Sequence, residues 1–223
     1  ILTSPWWLPY HLTDDRYGRT WAYPSHPYAN GIDGYTRFRG VSRPRTLPDG
    51  GQLLGQSGAL RLRVEGGVLT SGGPFDQNLQ RITLAARAST NFRLEIGTEW
   101  TLWTEELVDG VDHLWLGKAD ATILFAQSKN VQFRSGLGFR FMVDEHGTVP
   151  GMNFIYGLDI YPVSPLVISA QAELGSIGGA LAGQVRISAG VMLGPVEVFA
   201  AYDRLAVNNL VFGGPTVGVR MWH

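Results

Sequence analysis

Charged and apolar residues alternate along most of this chain, and that alternation restricts the possible fold more than any other feature of the sequence. Residues 60–65, for example, read Leu-Arg-Leu-Arg-Val-Glu, and residues 92–96 read Phe-Arg-Leu-Glu-Ile. Successive side chains of a β-strand point to opposite faces. A sustained period of two therefore predicts strands with one apolar and one polar face. The pattern extends from about Gln56 to His223 and predicts an all-β region.

Ten strands follow from this pattern, and no segment of the region has helical periodicity. Residues typical of tight turns separate alternate strands at 89–91, 128–130, 162–165 and 194–195. The other connections are predicted to be mostly longer, at 71–78, 105–111 and 145–150, with shorter ones at 176–179 and 206–208. The predicted strands are 57–70, 79–89, 91–104, 112–127, 130–144, 151–162, 165–175, 180–193, 195–205 and 209–222.

The charged residues placed within these strands all fall on the polar face, and none falls on the apolar face. Ten of them are basic and nine are acidic, which allows them to pair with one another. We interpret them as a charge network on the inside of a barrel. The network comprises Arg61, Arg63, Glu65, Arg81, Arg87, Arg93, Glu95, Glu99, Lys118, Asp120, Arg134, Arg140, Asp159, Glu173, Arg186, Glu197, Asp203 and Arg220, and Asp144 shares its parity.

Two architectures have this alternation: a soluble β-barrel or sandwich with the apolar face inside, and a transmembrane barrel with the apolar face towards lipid. The predicted strands run about 11–16 residues, against about 5–6 in soluble sheets and about 9–11 needed to cross a bilayer at a tilt. The basic residues include only two Lys, Lys118 and Lys129, although soluble sheets commonly carry Lys on their edges. These features favour an antiparallel, up-and-down transmembrane β-barrel, and the soluble fold remains the alternative.

The end of the chain carries a more specific pattern, in which Gly218 is followed by apolar residues at alternating positions up to Met221, Trp222 and His223. This stretch resembles the C-terminal assembly signal of bacterial outer-membrane β-barrel proteins. The last residue departs from it, since His223 stands where that class usually has Phe or Trp, and Trp222 is the substitute. The resemblance implies an outer-membrane location in contact with lipid, both termini in the periplasm, and the connections 71–78, 105–111, 145–150, 176–179 and 206–208 outside.

A ten-stranded barrel is close to the size that side chains fill, whereas 16–18 strands leave an aqueous channel. The planar guanidinium of Arg binds carboxylates through two hydrogen bonds, which gives the excess of Arg over Lys a physical reason. We therefore expect a largely closed, salt-bridged lumen and a structural or anchoring role. A small channel for solutes is the alternative.

Residues 1–55 differ from the barrel region at 56–223. Residues 1–50 hold nine of the 25 aromatic residues and six of the 12 prolines, and their apolar residues follow no sustained period. Because Pro breaks helices and strand ladders, we predict an irregular periplasmic arm with a short strand at 35–39. Trp, Tyr and Arg are enriched at interface hot spots, so the arm is predicted to dock a partner protein; a self-packed cap over the barrel mouth is the alternative. The proposed docking residues are Trp6, Trp7, Tyr10, Trp21, Tyr23, Tyr28, Arg37 and Arg39.

Other chemistry finds little support in the sequence. The chain has no Cys and a net charge of −1, which argues against thiolate metal sites and nucleic-acid binding. We expect no cofactor, no metal and no catalytic residues. The alternatives are a hydrolase acting through a His beside carboxylates and an oxygen-ligand cation site. The first would use Asp109, Asp112 and His113 or Asp144, Glu145 and His146, and the second Glu105, Glu106, Asp109 and Asp112.

Overall fold

The fold is a closed antiparallel β-barrel of ten strands, with a helix and a two-stranded sheet preceding it in the chain. The computed structural model describes residues 4–13, 15, 41–46, 52–56, 60–71, 79–90, 92–107, 110–128, 130–144 and 147–222. The elements are α1 (Ser4–Thr13), β1 (Val41–Thr46), β2 (Gln52–Gln56), β3 (Leu60–Ser71), β4 (Leu79–Thr90), β5 (Leu94–Leu107), β6 (Gly110–Gln127), β7 (Val131–Asp144), β8 (Gly147–Ile160), β9 (Leu166–Ile177), β10 (Ala180–Leu193), β11 (Val196–Val207) and β12 (Leu210–Trp222).

Consecutive barrel strands pair with each other, and β12 closes the barrel against β3. Following the pairing once around the barrel shifts the register by about 12 residues, a stagger that tilts ten strands by roughly 40°. At a rise of about 3.3 Å per residue, even the shortest barrel strands then span roughly 30 Å along the barrel axis. The barrel wall is therefore tall enough for the apolar band of about 25 Å that a bilayer requires.

We call the end of the barrel that holds Leu60 and Trp222 the proximal rim, and the opposite end the distal rim. Two of the distal connections are shorter than predicted: β5 ends at Leu107 with β6 beginning at Gly110, and β7 ends at Asp144 with β8 beginning at Gly147. The longer loops expected at 105–111 and 145–150 are therefore wrong. Polar residues that were expected to form loops belong instead to the ends of paired strands. The pairing of β5 with β6, for example, extends up to Leu107.

The described parts of the arm contain regular secondary structure that the sequence did not predict. Residues 4–13 form helix α1 although Pro5 and Pro9 lie within it, and β1 pairs with β2. Pro5 is tolerated because the first helical turn has no partner for its N–H, and the sequence Pro48-Asp49-Gly50 between β1 and β2 has the composition of a turn. The strand predicted at 35–39 lies outside the described residues.

The outer face of the barrel is an exposed apolar surface, as predicted. Leu84, Leu137, Ile187 and Val217 are each more than half exposed, and their neighbours of opposite parity face the interior. Soluble monomers rarely expose contiguous apolar patches larger than a few hundred Å², so this belt requires an apolar surrounding. Arg204 corrects the prediction that no charge lies on this face, since it is exposed next to the buried Leu205 three residues from the distal end of β11.

Glycine allows two local features of the wall. A Cβ on Gly136 would lie 2.0 Å from the carbonyl oxygen of Ala121, so only glycine lets β7 approach β6 this closely. Gly178 and Gly179 both have positive φ, at 57° and 86°, and form the two-residue turn between β9 and β10. The first position is a close approach of two strands and the second is a tight bend.

Candidate functional site

The interior of the barrel collects the polar face of every strand, and it is the largest concentration of functional groups in the described part of the chain. The predicted network residues other than Arg93 lie on strands and face this interior. Most of them are buried, including Arg61, Arg81, Glu95, Asp120 and Asp159. Charges are not buried stably unless they are paired and hydrogen-bonded, so their partners decide what the interior can do.

Glu173 on β9 is the centre of one group of contacts. Its Oε1 accepts hydrogen bonds from Lys118 Nζ at 2.6 Å and Gln171 Nε2 at 2.7 Å. Its Oε2 accepts from Asn153 Nδ2 at 2.6 Å and from the guanidinium of Arg140. Four donors from β6, β7, β8 and β9 therefore meet on one carboxylate, which pairs with two cations inside the barrel.

Arg220 on β12 is the centre of a second group. Its Nε donates to Glu65 at 2.6 Å, its Nη1 to Glu197 at 2.7 Å and its Nη2 to the hydroxyl of Ser188 at 2.9 Å. The guanidinium also lies 4.0 Å from the ring centroid of Phe199, a cation–π distance. All three nitrogens of this Arg are used, and the contacts tie β12 to β3, β10 and β11.

Glu99, Lys118 and Arg186 join the two groups. Lys118 lies 3.3 Å from Glu99, and Arg186 lies 3.5 Å from the other oxygen of Glu99 and also pairs with Glu65. A continuous path of ion pairs therefore crosses the lumen from Glu173 to Arg220. Further pairs join the walls on either side: Arg81 with Asp203, Arg134 with Asp159, and Arg87 with Asp120.

Buried apolar side chains lie in the lumen at both ends of this network. Tyr161, Val167, Met192 and Trp222 form a buried cluster at the proximal end. At the distal end Leu69, Trp103, Ile177 and Leu205 are buried among inward-facing residues. Two cavities between these ends have volumes of about 50 Å³ and 30 Å³, and Glu99 and Lys118 line both.

Arg93 is the exception among the predicted network residues. It lies in the turn between β4 and β5 with a positive φ of 66°, at the proximal rim and not within a strand. Its guanidinium binds the carboxylate of Asp15 through two hydrogen bonds, of 2.7 and 2.9 Å. The alternation of polar and apolar residues includes Arg93 and predicted that it faces the network. The local turn instead directs its side chain to Asp15 of the arm.

The remaining predicted residues fall in three places. Trp6, Trp7 and Tyr10 lie on α1, which packs against the outside of the barrel, while Trp21, Tyr23, Tyr28, Arg37 and Arg39 lie outside the described residues. Gly218 pairs with Gly67 at the seam between β12 and β3, and Met221 faces outward. Trp222 faces the interior, where its indole N–H donates to Glu197 at 3.0 Å. His223 is outside the described residues.

The groups considered for hydrolysis or cation binding do not form a built site in the described residues. His113 is exposed at the distal rim and lies 3.3 Å from the hydroxyl of Thr104, and the carboxylate of Asp112 accepts the backbone N–H of His113. No cluster of three or more potential metal ligands occurs among the residues whose placement is described. Asp109, Glu145 and His146 are not among them. No helix in the same part of the chain is long and apolar enough to cross a bilayer.

Sequence reasoning missed the uncharged members of the network. Asn153, Gln171, Ser188 and Trp222 complete the hydrogen bonding of Glu173, Arg220 and Glu197. Their parity was a usable signal, since each alternates with outward apolar neighbours as the charges do. Asp15 carried no such signal, because its partner is distant in sequence and lies in a turn.

Comparison with known proteins finds no matching family model and no match among curated proteins. Solved structures that match include two of the outer membrane protein Ail of Yersinia pestis. Its backbone structure in a phospholipid bilayer nanodisc is 14% identical, covers 74% of this chain and 99% of that chain, and has a TM-score of 0.40. Its crystal structure, titled as the attachment invasion locus protein, is 14% identical, covers 74% of this chain and 97% of that chain, and has a TM-score of 0.31.

Proposed function

We propose that this protein is a closed outer-membrane β-barrel that serves as a structural anchor, and that both termini of the chain lie in the periplasm. The observation that carries the proposal is the path of ion pairs from Glu173 to Arg220 across the lumen. A pore requires a continuous aqueous path. Here the two interior cavities hold about 50 Å³ and 30 Å³, and apolar side chains lie beyond each of them.

The charge balance of the network supports a structural role over a transport role. One common kind of ion-selective pore is lined by rings of side chains of a single charge sign. In this lumen each carboxylate of the central path has a cationic partner, such as Glu65 with Arg220 and Glu173 with Lys118. The central cations and carboxylates are paired with one another, so the described part of the lumen has no unpaired ring of charges along this path.

Planar-bilayer recording tests the closed lumen. We expect the purified protein to give no stable conductance of porin size, because the paired side chains of Lys118 and Glu99 line both cavities. A variant carrying Trp103→Ala, Glu99→Ser, Lys118→Ser and Trp222→Ala should conduct. It removes the central pair of Glu99 and Lys118 and the large apolar side chain at each end of the lumen. Heat-modifiable migration on a gel serves as the check that both proteins are folded barrels. A stable porin-sized conductance of the unaltered protein would contradict the proposal.

The arm is the proposed site for a partner protein. Trp6 and Tyr10 are on a helix that packs against the barrel, so the docking residues that we propose are those after Asp15. The hydrogen bonds between Asp15 and Arg93 hold Asp15, the residue that precedes this stretch, at the proximal rim. Aromatic and Pro-rich sequence supports docking there, because rigid Trp and Tyr side chains lose little conformational entropy on binding.

Replacing Trp21, Tyr23 and Tyr28 together with alanine should reduce the recovery of a cross-linked partner from native membranes about tenfold or more, as expected when hot-spot residues are removed. The matched control is Trp7→Ala, which changes an aromatic residue of the arm on α1 and should leave recovery unchanged. Quantitative mass spectrometry of the cross-linked complexes measures both. Equal recovery from the triple variant and the unaltered protein would show that these side chains do not dock a partner.

A further inference from the structure

Helix α1 is apolar on almost its whole circumference. Between Ser4 and Thr13 it has no Asp, Glu, Lys or Arg, and His11 is its one titratable side chain besides Tyr10. Trp7 is 59% exposed and Leu12 is 74% exposed, while Pro9 on another side is buried. A helix that is hydrophobic all round requires an apolar environment on every side. The barrel wall covers only one side of the helix.

The face of α1 that is covered lies against the outer, lipid-facing side of the barrel. The ring of Trp6 meets Phe154 edge-on at 6.0 Å between centroids, and the helix also contacts β6. Phe154 and Tyr156 alternate with the buried, inward-facing Asn153, Ile155 and Gly157. Tyr156 forms an outer aromatic cluster with Phe125 and Phe133, with centroids 5.8 and 6.4 Å away. The helix is therefore continuous with the apolar belt.

A hydrogen bond joins helix α1 to the barrel wall. It pairs a helix carbonyl that has no donor within the helix with a tyrosine hydroxyl of β8. Pro9 has no N–H, so it cannot donate to the carbonyl four residues earlier, which is that of Pro5. The hydroxyl of Tyr156 donates to this carbonyl at 2.6 Å. In water each group would be hydrated, whereas in hydrocarbon an unpaired carbonyl or hydroxyl costs several kcal/mol. The contact thus satisfies two polar groups that a lipid environment would leave without partners.

The helix also ends where a membrane boundary is expected. Tyr156 lies four residues before the end of β8, which places it roughly 10 Å from the proximal rim at a rise of about 3.3 Å along tilted strands. Thr13 Oγ1 donates to the carbonyl of Tyr10 at the C-terminal end. Two residues later, Asp15 pairs with Arg93 in a proximal turn. The apolar helix is on the wall, and the first charged contact that follows it is at the rim.

We propose that α1 is a membrane-interface helix that lies between the barrel wall and the acyl chains of the leaflet nearest the proximal rim, with lipid as the partner of Trp7, Leu8 and Leu12. The proposal rests on the proposed location of the barrel in a membrane. Trp and Tyr are the residues enriched at membrane interfaces, and α1 has three of them. The helix thereby fixes the start of the arm to the bilayer as well as to the barrel.

Spin labelling tests this placement directly, because the chain has no Cys and each label is unique. Trp7→Cys and Leu12→Cys report on α1, Ile187→Cys on the outer wall, and Asn209→Cys on a distal turn. The labelled proteins are folded into vesicles of phosphatidylcholine and phosphatidylglycerol. Collision rates with oxygen and with a water-soluble nickel chelate are then measured. We expect the labels at 7 and 12 to resemble that at 187, with at least a fivefold higher ratio of oxygen to nickel collisions than the label at 209.

Each outcome has a distinct meaning. If the labels at positions 7 and 12 have the low oxygen-to-nickel ratio of the label at position 209, while the label at 187 keeps a high ratio, the membrane-interface helix is wrong. The membrane barrel would still stand. If the label at 187 is also accessible to nickel, the membrane barrel itself is wrong. Tyr156→Phe should increase the mobility of the label at 7, since it removes the bond to Pro5. Tyr202→Phe, which changes an outward tyrosine on β11, should not.

Discussion

Replacing Glu173 with glutamine is expected to lower the free energy of unfolding by about 3–5 kcal/mol, the range for removing one partner of a buried ion pair. Glutamine keeps the shape but has no charge to neutralise Lys118 and Arg140, both of which donate to Glu173. The loss can be measured by denaturant titration of the protein folded in lipid vesicles, with tryptophan fluorescence as the signal.

The matched control is Glu105→Gln, an equal change at an exposed position near the distal end of β5. It should change the free energy of unfolding by less than about 0.5 kcal/mol, as expected of an exposed site. Adding Lys118→Met to Glu173→Gln removes one of the two cations that lost Glu173 as a partner and should recover part of the lost stability. Equal effects of Glu173→Gln and Glu105→Gln would show that the interior carboxylate is not the centre of a buried network.

Placing an arginine on the outer wall should also be strongly destabilising, in contrast to its effect on a water-exposed surface. Ile187 lies in the middle of β10 and is 56% exposed. In a bilayer, Ile187→Arg is expected to cost about 2–4 kcal/mol, the value for Arg on the lipid face near the midplane. In water the same change at an exposed position would be nearly neutral. Reversible unfolding from vesicles measures the difference.

The control for this variant is Asn209→Arg in the exposed turn between β11 and β12. It introduces the same side chain outside the apolar belt and should leave the free energy of unfolding unchanged to within about 0.5 kcal/mol. Arg204, which is near the distal rim on the same face as Ile187, indicates that the belt ends before that turn. An Ile187→Arg variant as stable as Asn209→Arg would mean that the outer wall does not face lipid.

The barrel could be predicted from the sequence because its alternation is imposed locally. The face on which Arg186 lies can be inferred from its neighbours Val185 and Ile187, because adjacent side chains on a strand point in opposite directions. The strand number, the antiparallel order and the inward direction of the charges are confirmed by the closed barrel. The distal loops could not be predicted in the same way. Beyond the apolar belt polar residues are acceptable on both faces, and the strand ends there resemble loops.

Helix α1 could not be predicted for a different reason. Pro5 and Pro9 argue against a helix on local grounds, and the group that compensates for Pro9 is Tyr156, which is 147 positions further along the chain. The same applies to Arg93, whose parity indicated the lumen but whose partner is Asp15. In both cases the deciding interaction joins distant segments, and local pattern contains no information about it.

The amino-acid sequence by itself determined which side chains share a face, and with it an all-β chain whose charges are segregated from its apolar residues. Only the tertiary structure decided which charges are partners, because the pairing of Glu173 with Lys118 or of Arg220 with Glu197 depends on strand order, register and the closure of β12 on β3. It also decided that buried apolar side chains lie at both ends of the lumen and that α1 lies on the wall. Periodicity is a property of neighbouring residues, whereas pairing across a barrel is a property of its curvature and stagger.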